Sequence, residues 1–352
     1  MMSSTNKPVL KIANIILLLV NLATVSWSSL SFTQYARIGE EFFESDKSEH
    51  DEASGMDIAP DGSHLVAVSD SGNLFFINLR DYTSGHCMVD LDYDSVVNGK
   101  IDRTDLEGIA IDPTKWEEDD KQAYVVFERS DDEEPYLFKI KYEYEIDASG
   151  EATCSAHAVD AVSLVGAIPS LTTSNGIESL TYIKTIDDGI SIFYAGVQDT
   201  GKLYKITSEG NSYNDCCYEP YEGKDDLSAL NYDGTYLWAF YGDRDEIVMM
   251  MDTENGLCTV ETYDIPEADG WDKEGIVVDS TRNLMYMAVD ETSDYPSIVA
   301  VYNMTYPDTP SCDSSSNIGR SCDASLVCRG ASTTSNSPNQ SSWRLFQLRQ
   351  PH

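Results

Sequence analysis

Three glutamates recur at one place in a repeated pattern. Glu107 stands in Asp105-Leu106-Glu107-Gly108-Ile109-Ala110, Glu178 in Asn175-Gly176-Ile177-Glu178-Ser179-Leu180, and Glu274 in Asp272-Lys273-Glu274-Gly275-Ile276. Ser54 and Ser228 take the equivalent place in two further segments, Ala53-Ser54-Gly55-Met56 and Leu227-Ser228-Ala229-Leu230. A second set of acids, Asp70, Glu128, Asp199, Asp243 and Asp290, closes the next apolar run of each unit. Like charges held close in a partly dry site are costly unless a cation neutralises them. Hard carboxylate oxygens without Cys or His beside them suit Ca²⁺ better than a transition metal. The candidate metal ligands are therefore Glu107, Glu178, Glu274, Asp70, Glu128 and Asp290, with Ca²⁺ as the expected cofactor. The competing use of these acids is bonding to the backbone of a neighbouring unit, which locks units together without metal.

The elements that must position these acids repeat with them. The second positions of the five openings are 54, 107, 178, 228 and 274, so the steps are 53, 71, 50 and 46 residues. After each opening comes a turn, such as Pro60-Asp61-Gly62 or Asp233-Gly234, then a second apolar run, an acidic loop, a third run and a less regular fourth. Short β-branched and aromatic runs between Gly, Asp and Pro turns are strand and hairpin signals. Four antiparallel strands at a period of about 50 residues are the grammar of propeller blades. The expected fold is all-β, a five-bladed β-propeller. Gly55, Gly108, Ser179, Ala229 and Gly275 are the small residues expected where innermost strands crowd around a central channel. Phe32–Ile38 is an orphan strand before the first unit, and no fourth strand follows Asn303. The N-terminal strand is thus expected to complete the last blade and close the ring. The long second step, over about 145–174, leaves room for an insertion or a degenerate sixth blade.

The ends and the composition suggest a compartment. Lys7 and Lys11, an apolar stretch from Ile12 to Val25 and Ser26-Trp27-Ser28 have the layout of a secretory signal peptide over residues 1–28. The propeller is expected over 32–306, a Cys-containing tail over 307–330 and a disordered tail over 331–352, rich in Ser, Thr and Asn. Eight Cys (Cys87, Cys154, Cys216, Cys217, Cys258, Cys312, Cys322 and Cys328) all lie beyond the signal and form no Cys-x-x-Cys pair. They are disulfide candidates in a secreted or extracellular protein, or one in the lumen of the secretory pathway, with many pairings open. Asn303 and Asn339 open glycosylation sequons. The formal net charge is −38, which repels nucleic acid and anionic membranes and attracts cations. The expected partners are cations and an extracellular ligand or protein, with no nucleic acid and no membrane after signal cleavage.

The openings quoted above, taken in their order, resemble those of the SdiA-regulated, YjiK-like β-propellers. Units of that family alternate "D-L-S-G/A-L" and "D-L-E-G-I" starts, and here Ser54, Glu107, Glu178, Ser228 and Glu274 follow a similar order. Ser69-Asp70, Phe127-Glu128-Arg129 and Val289-Asp290-Glu291 also match the family's second-strand endings. The resemblance covers about residues 33–305. It implies a periplasmic or extracellular propeller with calcium-linked behaviour. The chain departs from the family in its Cys content, the insertion before Asn175 and its tail.

Other motifs carry less. Asp90-Leu91-Asp92-Tyr93-Asp94 has the acid spacing of an EF-hand loop, but Ser95 stands where Gly is required and Ile101 where the bidentate Glu belongs. The alternative to a binding module is a calcium-dependent propeller hydrolase acting on phytate or on a lactone or ester. Phytate needs a basic mouth, for which Arg129, Lys202, Arg244 and Arg282 are the few candidates. A lactonase needs Asn ligands, for which Asn175 and Asn231 stand near openings. His64 is the His within a repeat core that could act as a base, and no Gly-x-Ser-x-Gly nucleophile motif occurs.

Overall fold

The computed structural model describes residues 53–97, 105–116, 121–128, 134–168, 176–186, 188–219, 226–253, 256–265, 272–290, 298–304 and 320–321. Blade 1 consists of β1 (Ala53–Ile58), β2 (His64–Ser69), β3 (Asn73–Asn78) and β4 (Cys87–Asp90), followed by a single helical turn α1 (Asp94–Val97). Blade 2 has β5 (Leu106–Ile111), β6 (Lys121–Phe127), β7 (Tyr136–Ile146) and β8 (Ala152–Ser163). Blade 3 has β9 (Ile177–Thr185), β10 (Ser191–Val197), β11 (Lys202–Thr207) and β12 (Ser212–Glu219). Blade 4 has β13 (Leu227–Tyr232), β14 (Leu237–Tyr241), β15 (Glu246–Thr253) and β16 (Gly256–Asp264). Blade 5 shows β17 (Asp272–Asp279), β18 (Leu284–Asp290) and β19 (Ile298–Asn303). A short β20 (Arg320–Ser321) pairs with the outer edge of β12, so part of the Cys-containing tail returns to blade 3. Within each blade the strands pair antiparallel in chain order. The chain is a five-bladed β-propeller.

The second strands read as unbroken apolar runs, His64-Leu-Val-Ala-Val-Ser69 in β2 and Leu237-Trp-Ala-Phe-Tyr241 in β14, because both faces of every sheet are covered. Side chains alternate across a strand, so neighbours enter opposite seams. In β14, Leu237, Ala239 and Tyr241 join Tyr194 and Leu203 of blade 3, whereas Trp238 and Phe240 join Met285 and Met287 of blade 5. Similar apolar clusters fill the seams between blades 1 and 2 and between blades 2 and 3. The fifth seam packs Leu65 and Phe75 of blade 1 against Val277, Tyr286 and Ala288 of blade 5. The Tyr82 and Tyr286 hydroxyls meet there at 3.1 Å, and Arg282 Nη2 donates to the Gly62 carbonyl at 2.8 Å. On the innermost strands of blades 5 and 1, a Cβ on Gly275 would meet the Ser54 carbonyl, so β17 and β1 touch and close the ring. Residues 32–38, expected to complete blade 5, lie outside the described residues.

The long second step does not hold a sixth blade. Its extra residues lengthen β7 and β8 of blade 2, which pair continuously from Tyr136↔Ser163 to Ile146↔Ala152. This hairpin is tied to blade 1. Cys154 on β8 forms a disulfide with Cys87 on β4, and Ala158 N–H donates to the Asp92 carbonyl at 2.8 Å. The Asp-x-Asp-x-Asp segment therefore runs through the end of β4, an isolated bridge to β8 and the start of α1, and does not wrap a loop. Among the described residues, no helix is long and apolar enough to cross a membrane.

Candidate metal centre

Each innermost strand carries one irregularity at the same place. Leu106 pairs with Phe127 and Gly108 with Val126, so Glu107 has no partner of its own. The register slips in the same way around Glu178, Ser228 and Glu274, and around Ser54-Gly55 in blade 1. A β-bulge inserts an unpaired residue and re-aims its side chain. The glycine after it has a mechanical reason. A Cβ on Gly108 would lie 2.5 Å from the Leu180 nitrogen, and one on Gly55 2.6 Å from the Gly108 Cα. Here the backbones of adjacent innermost strands touch, and the channel narrows to about 10 Å³ between Gly55, Gly108, Ser179, Ala229 and Gly275. That is about the space of one water.

On one side of this waist the acids converge. Antiparallel pairing of first and second strands puts residues following β2 and β6 at the same rim as the bulges, which the sequence left open. Glu128 N–H donates to the Asp105 carbonyl at 2.9 Å. Carboxylate oxygens of Asp70, Asp105 and Glu107 lie within 4.8 Å of one another. Glu107 and Glu178 are 8% and 7% exposed. Burial, then the charges of Glu178 and Asp70, hold Glu107 well above the usual carboxylate range. Burial, then Glu128 and Glu274, does the same to Glu178. Burial and a carboxyl–carboxyl hydrogen bond with Asp105 push Glu128 up to about 7, against the Gly176 amide that it accepts at 3.1 Å. Asp70 accepts the Ser54 hydroxyl at 2.7 Å. The neighbouring ammonium of Lys273, next to Glu274, is paired with Asp245.

The expected ligands fare differently. Asp70, Glu107, Glu128 and Glu178 come together at this rim, and Glu274 is near enough for its charge to act on Glu178. Asp290 ends β18 opposite Asp272, and its side chain lies outside the described residues, as does that of Asp243. Asp199 sits exposed on a 3-10 turn. Asp105 was not among the expected ligands, although it stands two residues before Glu107, the spacing that returns a strand to the same face. Among the expected ligands, backbone bonding between blades belongs to Glu128. Elsewhere it belongs to a ring on the far side of the waist. There Asp57 Oδ2 accepts Ile111 N–H at 2.7 Å, Thr181 Oγ1 accepts Tyr232 N–H at 2.8 Å, and Asn231 Oδ1 accepts Val278 N–H at 3.0 Å. Asn231, weighed as a lactonase-type ligand, is thus committed to a blade seam at the opposite end. Asn175 and Arg129 lie outside the described residues. His64 is buried against Phe76, Trp116, Tyr142 and Tyr144, and its own burial lowers its pKa to about 3. Asn303 closes β19 half-buried, and Asn339 lies outside the described residues. Of the other cysteines, Cys258 is also disulfide-bonded.

No family model and no curated protein matches the chain. Solved structures with similar folds include a putative oxidoreductase (glucose dehydrogenase) from Thermus thermophilus, at 9% identity and a TM-score of 0.43, covering 76% of this chain and 100% of that one. A PQQ-bound aldose sugar dehydrogenase from Streptomyces coelicolor matches at 11% identity and 0.44, over 72% of this chain and 95% of that one. The Cps50 (Swd1) propeller domain of Myceliophthora thermophila matches at 11% and 0.37, over 73% and 75%. The blade count stands on the strand pairing described above.

Proposed function

We propose that the chain is a secreted, calcium-binding propeller of the SdiA-regulated, YjiK-like kind, acting as a binding or interaction module. One observation carries the reading: Asp70, Asp105 and Glu107, from two blades, gather their carboxylates within 4.8 Å, with Glu178 and Glu128 acting on the same site. The donor set is all oxygen, and Ca²⁺ takes 6–8 oxygens in flexible geometry. A divalent ion would relieve the mutual repulsion that now drives these acids towards protonation. The bulges hold Glu107 and Glu178 on strands, and Asp70, Asp105 and Glu128 each stand one residue beyond a strand end, which suits a site fixed in shape. The Cys87–Cys154 disulfide and the basic-then-apolar N-terminus support secretion.

Thermal melts with and without calcium test the reading. An ion that binds the folded form alone stabilises it by about 2.7 kcal/mol at 100 times its dissociation constant. Glu178→Gln keeps shape and hydrogen bonding but removes one charge, so it should abolish most of the calcium shift. If the acids only lock blades, the substitution changes stability equally with and without calcium, and an unchanged calcium shift rejects the site. Phytate and simple lactones assayed on the same samples decide the alternative: turnover lost in Glu178→Gln makes the protein a calcium-dependent hydrolase.

A further inference from the structure

Beyond the waist, the opposite mouth of the channel opens into a cavity of about 560 Å³ lined by the far ends of the innermost strands of all five blades and by the turns that follow them in blades 1, 2, 4 and 5. That volume falls within the range of small-molecule sites, and the waist separates it from the acid cluster. Ile58, Ile111, Ile183 and Val278 are its apolar lining. Tyr182 and Tyr232, from adjacent blades, stand half-buried in its wall.

The charge of the wall is one-sided. Asp57, Asp61, Asp233 and Asp279 line the cavity, and Arg282 is the cation among its described lining residues. The guanidinium is already committed, through Nη1 to Asp279 at 3.1 Å and through Nη2 to the Gly62 carbonyl. Asp61 accepts the Ser63 amide at 2.9 Å and lies 3.9 Å from the Arg80 guanidinium, while Asp233 accepts the Thr235 and Tyr236 amides at 2.8 Å and the Trp238 indole N–H at 2.9 Å, which fixes both carboxylates in place with their charge at the wall. A concave acidic surface with low-dielectric walls focuses the field of a chain of net charge −38 and repels anions. Tyrosine faces attract cations through the ring quadrupole.

We propose that this mouth binds a small organic cation, an amine or quaternary ammonium whose apolar part rests against Ile58, Ile111 and Val278. Its charge lies between the tyrosine rings and the carboxylates of Asp61 and Asp233. The site is independent of the calcium reading, because it shares no residue with the acid cluster.

Choline and its neutral isostere 3,3-dimethylbutan-1-ol, titrated into the full chain by calorimetry, provide the probe. Choline should bind saturably and the isostere several-fold more weakly. Asp61→Asn, which keeps an acceptor for the Ser63 amide, and Tyr232→Leu should each weaken choline by about 2- to 5-fold, the range of one exposed cation–π or charge contact. Hydrogen exchange should slow over residues 58–63, 231–235 and 279–283. Equal binding of the isostere overturns the proposal. So does the lack of saturable choline binding up to about 50 mM, or protection at residues 105–108 and 176–179 instead. Choline affinity unchanged in Asp61→Asn and Tyr232→Leu, both shown folded by their melts, also overturns it.

Discussion

The carboxylate of Asp57 accepts the Ile111 amide at 2.7 Å across the seam between blades 1 and 2, while its other oxygen accepts its neighbour Ile58 at 2.8 Å. Thr181 and Asn231 do the same for the next blades with a hydroxyl and an amide. Ala110 and Val277 occupy the equivalent place in blades 2 and 5, so the ring of staples is incomplete. Asp57 alone brings a charge to it.

That charge makes stability depend on pH. Burial outweighs the two amide bonds and raises the Asp57 pKa from 3.8 to about 7. An acid whose folded pKa is raised stays protonated in the native state while the unfolded chain ionises. Its contribution is therefore intact below about pH 4 and is lost as pH rises to about 7. The full span is worth about 4 kcal/mol at 1.36 kcal/mol per unit. Asp57→Asn, which cannot ionise, should melt lower than the wild type at pH 5 and show a smaller fall in melting temperature between pH 5 and pH 8. Parallel pH profiles for the two proteins would remove Asp57 as the cause.

Gly108 should tolerate no side chain. Its Cβ would meet the backbone of blade 3 at Leu180 and Ser179, which cannot yield without opening the waist. Gly108→Ala should cost about 1–3 kcal/mol, the usual range for forced overpacking. Gly166→Ala is the control, since nothing lies within 4 Å of its Cβ, and it should stay within about 0.5 kcal/mol. Denaturant melts of the two variants check this, and equal stability would show that the waist gives way.

The Cys87–Cys154 disulfide should hold the long hairpin of blade 2 against the edge of blade 1. Cys87→Ala with Cys154→Ala should lower stability by about 2–4 kcal/mol. It should also speed amide exchange over 87–92 and 152–158 before the rest of the ring. Uniform acceleration across all blades would mean that the pin serves the whole propeller rather than this edge.

Much of this architecture was legible because blades are local units. The recurrence of a small residue after an acid or Ser, and the apolar runs of β2, β10 and β14, reflect strands confined by their own neighbours. Those signals repeat every 46 to 71 residues and suffice for the fold and the blade count, apart from the extra length before Asn175. There the pattern could not tell a lengthened hairpin from a weak blade, since β7 and β8 alternate like any strands.

What residue order alone determined about this protein is the repeat, the five inner strands and the acids carried at one position of three of them. What only the tertiary structure decided is which groups meet. The bulges aim Glu107 and Glu178 into a buried rim and put Asp70 and Glu128 at the same end. Asp105 and Glu107 of blade 2 come within 4.8 Å of Asp70 because blade 1 packs directly beside blade 2. The staples use Asp, Thr and Asn in turn, so no recurring residue type marks them in the chain. Strand formation depends on neighbours a few residues apart. The chemistry of this protein depends on groups about 20 to 100 residues apart, and only the closure of five blades around one channel brings those into contact.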